Sequence, residues 1–167
     1  MLKVNMDRGA GLPLPCPGQS KLTESREEYG MKDGKRKILI VEDNPQNMRL
    51  LEMVLRTKNY TLLKAVDGEE GLDVATKERP DLIIMDIQLP KMSGLEVTMK
   101  LRENPAFQRT PIIGITAYAM KGDREKIIQA GCDAYIPKPI DTRELPAVIA
   151  EMLSRRQRNT TCYQGRL

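Results

Sequence analysis

The sequence predicts an α/β protein in which five helices wind around a five-stranded parallel sheet. Five short apolar runs alternate with five longer segments from Lys37 onward, the alternation of a doubly wound sheet. The runs are almost continuously apolar, as in LIIM (82–85) and PIIGI (111–115), which suits strands covered on both faces. The intervals carry helix-start chemistry and apolar residues at helical spacing.

The first strand is KILIVED (37–43), rich in Ile and Val and ending in two acids. Asn44 then offers an N-cap and Pro45 a first helical position, with Met48, Leu51, Val54 and Leu55 on one face. YTLLKAVD (60–67) reads as the second strand, with Gly68 ending it and allowing the turn. GEEGLDVATKER (68–79) reads as a helix with Leu72, Val74 and Ala75 turned partly inward. DLIIMD (81–86) is the third strand; Pro90 and Gly94 shape the loop after it and open the helix GLEVTMKLREN (94–104). PIIGITA (111–117) is the fourth strand, and GDREKIIQAG (122–131) a helix closed by Gly131 in the C′ position. AYIPK (134–138) is the last strand. The last helix runs from about Thr142 to about Arg156, with Leu145, Val148, Ile149 and Leu153 facing inward. Pro146 removes an N–H from that helix, tolerable if the helix starts nearer Glu144. The expected architecture is flavodoxin-like, with strand order 2-1-3-4-5.

Residues 1–35 mix Gly, Pro and charge without periodicity and read as a disordered or linker-like extension, with Met31 as an alternative start. Residues 36–155 form the predicted domain and 156–167 a basic tail. At 167 residues the chain suits one domain with a substantial core. No apolar run approaches the roughly 20 residues of a membrane span, and the N-terminus has no apolar secretion segment. Cys16, Cys132 and Cys162 are odd in number and far apart, which predicts reduced thiols in a cytoplasmic protein; Cys132 reads as a small buried hydrophobe. The net charge of +4 resides in the tail: residues 154–167 carry four arginines and no acid, whereas 36–153 sum to −1. Such a short basic end predicts a solvated tail, so nucleic acid is not expected as a partner. The chain has no histidine, which excludes histidine metal sites, histidine-based triads and an internal phosphohistidine.

Ligands of such a sheet bind at the carboxyl ends of its strands, beside the switch in strand order. Strand 1 ends in Glu42-Asp43, strand 3 in Asp86, strand 4 in Thr116-Ala117 and strand 5 in Lys138. Taken singly, each has an ordinary structural use: helix-start acids, a strand-end acid, a β-former, a surface lysine. Together they fall at one end of one sheet. Three crowded carboxylates need protons or a cation to relieve their repulsion. An all-oxygen set favours a hard ion, Mg²⁺ above all, with Mn²⁺ as an alternative. Acid, metal, ammonium and hydroxyl around one open position are the parts that phosphoryl transfer requires. Asp86 can serve as the nucleophile, because carboxylates form acyl phosphates.

KILIVEDN, IIMDIQLPKMSG, PIIGITAYAM and AYIPKPI, in that order and at that spacing, resemble the motifs of CheY-like receiver domains of two-component response regulators. The resemblance covers about residues 36 to 155. It implies that Asp86 is the phosphoacceptor, that Asp43 binds Mg²⁺ directly and that Glu42 acts mainly through water. It also implies that the Gln88 backbone carbonyl completes the coordination, that Thr116 and Lys138 contact the phosphoryl group, and that Tyr135 is the switch aromatic. The Lys138-Pro139 bond is expected to be cis, and Gln88 and Tyr118 to tune the phosphoryl lifetime. The donor would be a histidine kinase or histidine phosphotransfer protein in trans, and the chain carries no nucleotide-binding loop.

AYAMKGDREKIIQAGCDAYIPKPI is similar to single-domain regulators of the DivK type and to receivers of hybrid histidine kinases. With few residues after the last helix, the first expectation is a stand-alone receiver acting through protein–protein contact on an unidentified downstream protein, as a monomer or weak homodimer. The alternative is a phosphorelay intermediate or hybrid-kinase receiver that passes phosphate to a phosphotransfer protein. A Mg²⁺-dependent phosphatase of the haloacid-dehalogenase type is a third reading, opposed by Gln88 standing where that family has its second Asp. The chain is therefore expected to be a stoichiometric switch and not an enzyme.

Overall fold

The computed structural model describes residues 35–117 and 121–161, the side chains of 121 and 157–161 excepted. The expectations for the N-terminal extension, Cys16, Tyr118, Cys162 and the end of the basic tail lie outside the described residues. The elements are β1 (Arg36–Val41), α1 (Pro45–Arg56), β2 (Tyr60–Ala65), α2 (Gly68–Glu78), β3 (Leu82–Asp86), α3 (Gly94–Glu103), β4 (Ile112–Thr116), α4 (Lys121–Gln129), β5 (Ala134–Pro137) and α5 (Glu144–Thr161). The strands form one sheet in the order β2-β1-β3-β4-β5, and every pair is parallel.

Strand alternation divides the core in two. Ile38 and Ile40 of β1, Leu82 and Ile84 of β3, Ile113 and Ile115 of β4 and Ile136 of β5 pack against Leu51 and Leu55 of α1 and Leu145 and Ile149 of α5. The intervening residues Leu39, Val41, Ile83, Met85 and Ile112 pack against Ala75 of α2, Val97 and Leu101 of α3 and Ile127 of α4. Each of these large aliphatic side chains is almost wholly removed from water, a gain of roughly 1.5–3 kcal/mol apiece before entropy is set against it. All five residues of β3 are buried, as its unbroken apolar run predicts.

β3 ends at Asp86 as the sequence suggests, whereas the other strands end one or two residues sooner, so Glu42 and Asp43 follow β1 instead of closing it. The Asn44 side chain caps α1 by accepting from the backbone N–H groups of Gln46 and Asn47, and Pro45 occupies the first position. Ser93 and Glu96 form a reciprocal capping box at the start of α3. Because α5 begins at Glu144, Pro146 falls in the first turn, where its missing N–H has no intrahelical partner to lose. Gly131 closes α4 with φ of +106°. Gly68 needs a different account from the one its position suggested. It opens α2 behind the Asp67 cap, and a Cβ there would meet Val97 Cγ2 at 2.7 Å; its smallness serves the packing of α2 on α3. The sequence reading also missed a short 3₁₀ turn, Pro105–Phe107, which Asn104 caps and which buries Phe107.

Candidate functional site

Register decides which strand ends meet. Val41 lies opposite Met85, so Glu42 and Asp86 are the next pair beyond it. Asp86 lies opposite Ile115 and Thr116 opposite Pro137, which sets Thr116 one step and Lys138 two steps past Asp86. By alternation Glu42, Asp86 and Lys138 continue the α1/α5 face of the sheet, whereas Thr116 continues the face carrying Tyr135.

Three carboxylates converge there: oxygens of Glu42, Asp43 and Asp86 lie within 4.8 Å of one another. Glu42 and Asp86 are each only 1% exposed, and Asp43 faces solvent. Lys138 Nζ donates to Asp86 Oδ2 at 2.6 Å and stands 3.3 Å from Glu42 Oε2. Asp86 Oδ1 accepts from the Gln88 N–H at 2.9 Å. Glu42 Oε1 accepts from the Asn44 N–H at 3.3 Å and from Asn47 Nδ2 at 3.1 Å. Glu42 Oε2 is buried and accepts no hydrogen bond; the lysine beside it supplies charge without hydrogen-bond geometry.

The electrostatics follow from burial and this short charge list. Burial pushes the Glu42 carboxyl above the ordinary carboxylate range; the Asn47 hydrogen bond opposes that rise, while the Asp86 charge adds to it. Burial on its own would lower the Lys138 ammonium, but its hydrogen bond to Asp86 and the charges of Asp86 and Glu42 outweigh that, and it is held above the usual lysine value. Three acids against one lysine leave a net charge of −2 in a pocket of oxygen donors. A divalent hard cation matches both the charge and the donors, and the open Glu42 Oε2 is an acceptor that such an ion or its water would satisfy.

The loop after Asp86 is built to hold this end of β3. The Gly94 N–H donates to the Ile87 carbonyl and the Ile87 N–H to the Ile115 carbonyl. A Cβ on Gly94 would run into the Asp86 carbonyl oxygen and the Met85 side chain. Lys138 is tethered in turn by its N–H, which donates to the Thr116 carbonyl at 2.7 Å, and by a cis bond to Pro139.

Of the residues singled out in the sequence, Glu42, Asp43, Asp86 and Lys138 are brought into one cluster. Thr116 is buried at the adjoining strand end. Gln88 reaches Asp86 through its backbone N–H, and its side chain is exposed. Tyr135 stands apart from the carboxylates on β5, opposite Gly114, half-buried beneath the Arg124 guanidinium, which is 5.6 Å from its ring centroid. Asn47 was missed; only its place three residues after the Asn44 cap could have pointed to it.

Residues 38–150 match the family model of the response regulator receiver domain. The chain is 50% identical over 103 residues to the polar-differentiation response regulator DivK of Brucella anthropi, covering 62% of this chain and 84% of that one; the Brucella ovis protein of the same name matches to the same extent. Among solved structures it resembles the receiver domain of a Pseudomonas aeruginosa sensor histidine kinase, which has a magnesium ion coordinated in its active-site cleft. That match has 37% identity and a TM-score of 0.68, covering 72% of this chain and 98% of that one. It also resembles a CheY-like receiver domain protein of Methanospirillum hungatei, at 30% identity and a TM-score of 0.70 over 75% of this chain and 98% of that one.

Proposed function

The chain belongs to the response regulator receiver domain family, and from that premise we propose that Asp86 accepts a phosphoryl group from a phosphohistidine on a histidine kinase or phosphotransfer protein. The observation that carries this reading is the Asp86 carboxylate at the carboxyl end of β3, held between Lys138 Nζ at 2.6 Å and the Gln88 N–H at 2.9 Å, with Glu42 and Asp43 beside it. A carboxylate oxygen of Asp86 attacks phosphorus in line. The P–N bond to imidazole breaks, and its electron pair returns to the ring nitrogen of the donor. Bound at Glu42, Asp43, Asp86 and the Gln88 carbonyl, Mg²⁺ (or Mn²⁺) would neutralise charge on the phosphoryl oxygens. Lys138 passes from the free carboxylate to a phosphoryl oxygen, keeping its charge where negative charge gathers. Thr116 supplies a hydroxyl donor from the adjacent strand end, and Tyr135 reports the change on the β5 face.

Residues 36–155 form the receiver. The chain acts in the cytoplasm, as a monomer or weak homodimer, by phosphorylation-dependent contact with a downstream protein. The likeness to DivK supports that mode, since this chain spans 84% of that relative. Among the described residues no helix is long and apolar enough to cross a membrane. The test is phosphorylation by acetyl phosphate or a cognate kinase with Mg²⁺: the parent chain labels once per molecule, and Asp86→Asn does not. Stoichiometric labelling of Asp86→Asn overturns the assignment.

A further inference from the structure

We propose that Asn47 is a positioning residue that aims Glu42 at the metal; the proposal rests on the reading of Glu42, Asp43 and Asp86 as a Mg²⁺ site. Glu42 leaves the end of β1 with its carboxylate buried. Its two oxygens are treated differently by their surroundings. Oε1 takes two donors from the start of α1, the Asn44 N–H at 3.3 Å and Asn47 Nδ2 at 3.1 Å. Oε2 accepts no hydrogen bond and keeps only Lys138 Nζ, 3.3 Å away, as a charge partner. A carboxylate rotates about its last side-chain bond in a broad, roughly two-fold potential. Those two donors, with a longer contact from Lys138 Nζ at 3.5 Å on the same oxygen, fix that rotation and leave the other oxygen as the open acceptor of the cluster.

Asn47 can do this because the cap sets the phase of α1. Asn44 accepts from the Gln46 and Asn47 N–H groups, Pro45 takes the first helical position, and the third position then lies over the end of β1. Asparagine is a poor helix former compared with the alanine or glutamate that a surface position would favour, and its side chain here bonds across to Glu42 instead of capping its own helix. Partners that orient a metal's ligands set its affinity nearly as strongly as the ligands themselves. A ligand free to swing loses that orientation each time the metal leaves.

Asn47→Leu keeps the shape and removes the donor, and Asn47→Gln restores a donor one methylene longer. Isothermal titration of the full chain with MgCl₂ should show Kd raised about tenfold in Asn47→Leu and largely recovered in Asn47→Gln. Labelling by acetyl phosphate should need correspondingly more Mg²⁺ in Asn47→Leu and approach the parent rate at saturation. Mg²⁺ affinity in Asn47→Leu within about twofold of the parent overturns the proposal, as does slow labelling that saturating Mg²⁺ does not recover. A parent chain that binds no Mg²⁺ overturns the metal-site reading and this proposal with it, whereas a parent that binds and labels while Asn47→Leu behaves identically removes only this proposal.

Discussion

Cys132 is 4% exposed beneath the sheet, its Sγ 3.8 Å from Thr98 Oγ1 and about van der Waals distance from where a Gly114 side chain would begin. The sequence reading of a small buried hydrophobe holds there. Burial pushes its thiol up to about 11 from an ordinary 9.0. The sign of the linkage follows. Below pH 9.0 both folded and unfolded chains keep the proton; above it the unfolded chain ionises first, so stability is lost as pH rises toward 11. Over that window the loss from this one group is roughly 2–3 kcal/mol. Urea titrations at pH 8.0 and 10.5 should therefore show a steeper alkaline loss for the parent than for Cys132→Ala. Equal slopes would remove the account. Glu42 teaches the complementary lesson. Its place beside Asp43 is visible in the chain, but the asymmetry between its two oxygens comes from the donors that gather on Oε1, the Asn44 N–H, Lys138 and above all Asn47, whose reach depends on how α1 is rotated.

At the scale of elements, α3 begins against the backbone of Asp86, the proposed phosphoacceptor. Gly94 sits where any Cβ would strike the Asp86 carbonyl oxygen, so Gly94→Ala must push helix and strand end apart. The expected cost is about 1–3 kcal/mol, with a fall in the rate of Asp86 labelling even under conditions where the variant is fully folded. Ordinary stability together with ordinary labelling would show that the loop absorbs the methyl group freely. Capping was legible in the chain because its donors and acceptors are neighbours: Asn44 before α1, and Gly131 after α4. Arg102 was not legible. From α3 its guanidinium bonds the Gly131, Phe107 and Thr110 carbonyls and the Asp133 carboxylate. Those acceptors come from two connections, α3 to β4 and α4 to β5, up to 31 residues away. Gly68 was read as a turn glycine for the same reason, since the Val97 methyl it accommodates belongs to a helix a whole strand later.

For the molecule as a whole, the sheet divides the proposed site residues between its two faces. Glu42, Asp86 and Lys138 continue the face packed by α1 and α5, and Thr116 and Tyr135 the face packed by α2, α3 and α4. A ligand that touches both at the rim can couple them without any long-range path. If the cluster is the proposed Mg²⁺ site, the fold itself should be sensitive to metal, because the unfolded chain offers no such cluster. At tenfold excess over Kd the ion should stabilise by about 1.4 kcal/mol and raise Tm by several degrees. Asp43→Asn should abolish most of that rise, because Asp43 supplies the exposed arm of the cluster. A Tm indifferent to Mg²⁺ in the parent would count against the site. NaCl at matched ionic strength is the control, since exposed charge pairs elsewhere are screened by any salt.

The order of strands and helices, the capping of α1 and the carboxyl-end location of Asp43, Asp86, Thr116 and Lys138 were determined by the sequence by itself. Apolar runs, cap residues and strand ends are local patterns, and a doubly wound sheet turns them into positions. Only the tertiary structure decided which oxygen of Glu42 stays open, why Gly68 and Gly94 must lack side chains, and what Arg102 joins. These depend on register, helix rotation and the approach of distant backbone, where a shift of one residue or about 100° of helix phase exchanges every contact.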